Sequence, residues 1–77
     1  MKVSVRLFGP LAEAAATSSL DVVVERPTVG AVVEAVARTG LRIDRSVRFA
    51  LNTDYAEAEA VVREGDVVSL LPPVGGG

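Results

Sequence analysis

Polar and apolar residues alternate from the start of the chain, with Val3, Val5 and Leu7 on one side and Lys2, Ser4 and Arg6 on the other. This period of two predicts a half-buried strand over residues 2–8. Gly9-Pro10 breaks it, and the alanine-rich stretch 11–16 predicts one or two helical turns before Thr17-Ser18-Ser19 turns the chain. Leu20, Val22 and Val24 then oppose Asp21 and Glu25, a second strand that pairs with the first as a hairpin-like unit and ends at Pro27. From Val29 the period changes. Val29, Val32, Val33, Val36 and Ala37 follow the spacing of a helix with one buried stripe, Thr28 is placed to cap it, and Gly40 to terminate it. Valine is a poor helix former, so burial against a sheet must hold this helix.

Alternation returns at Val47, Phe49 and Leu51, which predicts a third strand. Asn52-Thr53-Asp54 reads as a turn, the stretch 55–62 fits helix and strand equally, and Glu64-Gly65-Asp66 is a second turn. The run Val67-Val68-Ser69-Leu70-Leu71 is apolar on both faces, as expected of a strand inside a sheet. Pro72-Pro73 cannot donate to a ladder and stops it. The pattern therefore predicts an α+β domain over residues 1–71, a mixed sheet of four to five strands packed on one main helix, with the first and last strands adjacent in its centre. Residues 72–77 form a flexible C-terminal tail ending Val74-Gly75-Gly76-Gly77.

Composition narrows the chemistry. The 77 residues allow one small domain, and 49% hydrophobic against 23% charged is the balance of a globular protein. Histidine and cysteine are absent, which removes thiolate nucleophiles, imidazole bases, disulfides and zinc sites built from either residue. A net charge of −2 provides no field for a polyanion, so nucleic acid is not an expected partner. No run of about 18 apolar residues marks a membrane span and no export signal is evident, which predicts a cytoplasmic protein. Glu57, Glu59, Glu64 and Asp66 cluster without the loop spacing of a calcium site and read as a solvated face. Arg38, Arg42, Arg45 and Arg48 lack the interleaved aromatics of a nucleic-acid surface and read as groups that orient acidic partners.

The tail carries the strongest signal. Glycine, having no Cβ, lets a backbone thread a narrow channel and bring its own carboxylate to a reactive centre. The six residues Pro72 to Gly77 can reach about 20 Å when extended. A carboxylate is inert until activated, so such a tail needs an ATP-using partner and makes this chain a carried substrate, with no catalytic side chain of its own. An ordinary interaction module with an unreactive tail is the plain alternative.

The frame Leu70-Leu71-Pro72-Pro73-Val74-Gly75-Gly76-Gly77, preceded by Gly65-Asp66-Val67-Val68, resembles the MoaD type of the ubiquitin-like, β-grasp sulfur carriers, the type found as the small subunit of molybdopterin synthase. Phe8-Gly9-Pro10-Leu11-Ala12-Glu13 and Ala50-Leu51-Asn52 are similar to the same family, so the resemblance spans nearly the whole chain. It implies a β-grasp fold with no bound cofactor. It implies that Gly77 is adenylated by a ubiquitin-activating-like adenylyltransferase using ATP, becomes a thiocarboxylate, and gives its sulfur in the large synthase subunit to the dithiolene of molybdopterin. Gly76, Gly75 and Val74 would line the passage and Pro72-Pro73 would set the exit. Phe8, Tyr55 and Leu71 would form the partner-docking patch. The sequence departs from the family at Gly75, where Ser, Thr or Ala is commoner, and at Leu70-Leu71, where aromatics are frequent. Thiazole, thionucleoside or cysteine synthesis, or conjugation to lysines as a ubiquitin-like modifier, are alternative destinations for the same chemistry.

Overall fold

Strand β1 (Lys2–Leu7) buries Val3, Val5 and Leu7 and exposes Lys2, Ser4 and Arg6, as its alternation requires. A computed structural model describes residues 1–73; the expected roles of Val74, Gly75, Gly76 and Gly77 lie outside the described residues. The elements are β1, α1 (Gly9–Ala15), β2 (Ser19–Val23), α2 (Val29–Ala37), β3 (Arg48–Leu51), β4 (Asp54–Tyr55) and β5 (Val67–Leu71). Among the described residues the strands make one mixed five-stranded sheet in the order β2-β1-β5-β3-β4. β1 and β2 pair antiparallel, β1 and β5 run parallel, and β5 meets β3 antiparallel. The molecule is a β-grasp, with the first and last strands side by side at the centre as the pattern predicts.

α2 lies across one face of the sheet. Val29, Val32 and Val36 are fully buried against Val3, Val5, Val22, Val62, Val68 and Leu70. Each buried valine contributes about 1.5–3 kcal/mol, which offsets the weak helix propensity of the segment. Thr28 caps this helix: its hydroxyl accepts from the Ala31 N–H at 3.2 Å. The next two free donors are met by a neighbouring loop, Val29 N–H on the Ala60 carbonyl (3.0 Å) and Gly30 N–H on the Ala58 carbonyl (2.9 Å). The stretch 55–62, ambiguous by pattern, is thus one strand residue followed by a loop that closes the N-terminus of α2. Val61 completes the attachment through an isolated antiparallel bridge to Thr28.

Four local expectations are corrected. β1 ends at Leu7, because Phe8 is already the N-cap of α1. α1 begins at Gly9 rather than Leu11, since Pro10 is suited to the first turn of a helix and starts one here. Ala37 is exposed and does not join the buried stripe. α2 stops at Arg38 in a right-handed conformation, with Thr39 and Gly40 N–H groups bonding back three residues to Val36 and Ala37, so Gly40 follows the end of the helix rather than capping it.

Candidate functional site

Residues paired directly across a ladder point to the same face, so the register sorts the sheet. Val5, Val68 and Leu51 lie on the helix side, as do Leu7, Leu70 and Phe49. The opposite face carries one row reading Ser19, Arg6, Ser69, Ala50, Tyr55 from edge to edge. In the next row Leu71 pairs with Arg48, and Phe8, extended at φ −133° and ψ 154°, follows Leu7 at the position beside Leu71. Phe8, Leu71 and Tyr55, singled out in the sequence as one apolar patch, therefore occupy the same open face near the end of β5. Tyr55 is 74% and Phe8 42% exposed, while Leu71 is half-buried. Ala50 and Ser69 are buried between these larger neighbours.

The patch has a charged surround that the sequence reading missed. Lys2, Arg6 and Arg48 fall on this face; the acidic Asp21 there accepts from the Ser4 hydroxyl at 3.2 Å. A chain of net charge −2 thus presents a locally basic face. Of the four arginines read together in the sequence, Arg45 and Arg48 converge with Tyr55 and Pro73 along one groove, which the acidic Glu57 and Glu59 also line. Arg38 lies instead between β2 and α2, and Arg42 near the ends of α1 and α2, so the four do not form one patch.

β5 delivers the chain to the rim of this face. Pro72 is half-buried and Pro73 exposed. Pro72 rests against Gly9, which has φ +56°; a β-carbon built on Gly9 would stand 3.2 Å from Pro72 Cγ and 3.9 Å from its Cβ. Gly9 marks itself in the sequence only as a strand breaker, since nothing local announces a contact with a residue from the far end of the chain. At the other end of β5, Asp66 accepts from Arg63 N–H (2.8 Å) and Asn52 Nδ2 (3.1 Å), while Asn52 Oδ1 accepts from Val67 N–H (3.0 Å). The Arg63 N–H first, then the Asn52 amide, hold the Asp66 carboxyl below its ordinary value. Asp44 is lowered likewise, first by the Ser46 hydroxyl and then by the Ser46 N–H. Asp66 is a turn clasp, whereas Glu57, Glu59 and Glu64 are exposed. Among the described residues no group of three or more acidic residues is placed to hold a metal ion, and no helix is long and apolar enough to cross a membrane.

A helix grasped by a mixed five-stranded sheet, whose central strand runs out toward the C-terminus, defines the ubiquitin-like class. Within that class the chain belongs to the ThiS family of ubiquitin-fold sulfur carriers, whose model matches residues 5–77. SAMP1 from Haloferax volcanii is similar at 25% identity and TM-score 0.85, with 100% of both chains covered. A chain of the complex of subunits 1 and 2 of molybdopterin-converting factor from Helicobacter pylori 26695 is 29% identical, TM-score 0.72, again over 100% of both chains. A chain of the BexX/CysO complex from Amycolatopsis orientalis, 22% identical over 97% of this chain and 99% of that one, has a TM-score of 0.70 and attests the fold alone. Small carriers of this family are generally non-catalytic subunits.

Proposed function

We propose that this protein carries sulfur on the carboxylate of Gly77 as the small subunit of a molybdopterin synthase. The observation that carries the reading is the continuity of the central strand with Pro72, Pro73 and a run of glycines, inside a family match that extends through residue 77. Likeness to the molybdopterin-converting factor of H. pylori supports the destination.

Two steps load the tail. A carboxylate oxygen of Gly77 attacks the α-phosphorus of ATP on an adenylyltransferase, and pyrophosphate leaves. A sulfide-level nucleophile then attacks the acyl carbon, AMP leaves, and a thiocarboxylate remains. In the large synthase subunit the sulfur passes to the pterin precursor, and water returns the terminus to a carboxylate. This chain supplies the docking face and the reach: Phe8, Leu71 and Tyr55 hold the partner, Arg6 and Arg48 favour an acidic rim around its contact, Pro72 and Pro73 aim the tail, and Val74, Gly75 and Gly76 enter the channel. ATP and the acid–base groups belong to the partners.

The test is mass spectrometry of the C-terminal peptide after incubation with an adenylyltransferase, ATP and a sulfur donor. One oxygen replaced by sulfur at Gly77 is the expected result; it must be separated from oxidation of Met1, which changes the mass almost equally. Deleting Gly77 abolishes loading and leaves the fold intact. An unmodified Gly77, beside a control carrier loaded in the same mixture, overturns the reading. A second reading, conjugation to lysines as a protein modifier, is favoured by the likeness to SAMP1, small archaeal modifier protein 1, at TM-score 0.85. Capture of the large synthase subunit supports the first, and isopeptide-linked adducts of Gly77 support the second.

A further inference from the structure

The geometry points to Gly9 as a positioning residue for the reactive tail: its missing side chain is the seat on which Pro72 rests, and this seat sets the direction in which the chain leaves the sheet. The inference rests on the carrier reading for its purpose but not for its geometry. β5 fixes the backbone up to Leu71 through ladders to β1 and β3. Among the described residues no ladder holds the chain beyond Leu71, and neither Pro72 nor Pro73 offers an N–H with which to make one. Pro72 instead lies against Gly9 at the start of α1. At Gly9 a β-carbon would come 3.2 Å from Pro72 Cγ, closer than ordinary carbon–carbon contact, whereas its 3.9 Å from Pro72 Cβ is unexceptional.

The conflict is thus with one ring atom. That detail separates the seat from the other reason a glycine could be needed here, its φ of +56°. Backbone strain at positive φ is severe for Ala, mild for Asn, and independent of residue 72. A steric seat is filled by any Cβ, Ala or Asn alike, and the penalty vanishes when Pro72 loses Cγ. Direction matters for the reaction because the path toward the reacting carboxylate, six residues past Leu71, starts at Pro72.

The chain has no cysteine, so nitroxide labels can be placed at will. Labels on Glu34→Cys, exposed on α2, and on Val74→Cys report the exit direction as a distance distribution in the full-length protein. Gly9→Ala and Gly9→Asn should each move the mean or widen the distribution relative to wild type, starting from a displacement of a few tenths of an ångström at Pro72. In a Pro72→Ala background the same Gly9→Ala change should have no further effect. Thermal unfolding confirms that each variant is folded. An unmoved distribution, or a Gly9→Ala effect that persists in the Pro72→Ala background, overturns the seat. With an adenylyltransferase that loads the wild type, Gly9→Ala should lower the rate at saturation about tenfold and leave KM unchanged, because the substitution leaves the side chains of Phe8, Leu71 and Tyr55 in place. A raised KM with unchanged rate overturns the positioning role. Failure of wild-type Gly77 to be loaded removes the carrier reading instead, and the spin-label distances still decide the seat.

Discussion

The Asp66 carboxylate helps tie the 63–67 turn to Asn52, taking the Arg63 N–H and the Asn52 amide while Asn52 takes the Val67 N–H. Its folded-state pKa lies below the unfolded one, so its contribution to stability is complete above the unfolded value near 4 and disappears as pH falls through the lower, folded value. Urea unfolding of wild type and Asp66→Ala should therefore show a stability gap that is constant near neutrality and narrows below about pH 4. A gap of the same size at every pH would mean that the carboxylate's charge plays no part in the clasp. The sequence marks 64–66 as a turn but not its attachment to Asn52, because that hydrogen bond joins segments brought together by β3–β5 pairing.

At the scale of elements, α2 shows what pattern can and cannot reveal. Its buried stripe and its Thr28 cap are legible, since both depend on residues within one or two turns. Closure of its N-terminus by the 56–62 loop is not, because the partners there are backbone carbonyls of Ala58 and Ala60, which any sequence possesses. Gly30 is the visible trace: a β-carbon on it would stand 3.3 Å from both Cβ and the carbonyl oxygen of Ala58. Gly30→Ala should push the loop off the helix and cost about 1–3 kcal/mol, despite alanine's better helix propensity. Equilibrium unfolding checks the sign. A stabilised variant would show that the loop yields without loss. The two-residue β4 was equally hidden, its pairing to β3 being too short to leave an alternating pattern.

Across the whole molecule, charge is distributed unevenly: an acidic chain turns Lys2, Arg6 and Arg48 toward the face that carries Phe8, Leu71 and Tyr55. Alternation and family pattern made the apolar residues of this face legible; the arginines became part of it only once the register set β1 beside β5 and β5 beside β3. If partners dock here, raising salt from low to physiological strength should slow association, and Arg6→Glu with Arg48→Glu should lower the on-rate about tenfold at low salt with the fold unchanged. Surface-binding kinetics with the large synthase subunit measure both. Salt-independent association would place docking elsewhere.

The strand at the middle of the sheet is also the one nearest the end of the chain. During vectorial synthesis β1 waits for its parallel neighbour until β5 has been made, and loop-closure entropy makes that pairing a late event. A chain cut before Val67 lacks β5 and with it the core residues Val68 and Leu70. The segment that completes the core is thus also the segment that leads into Pro72 and Pro73.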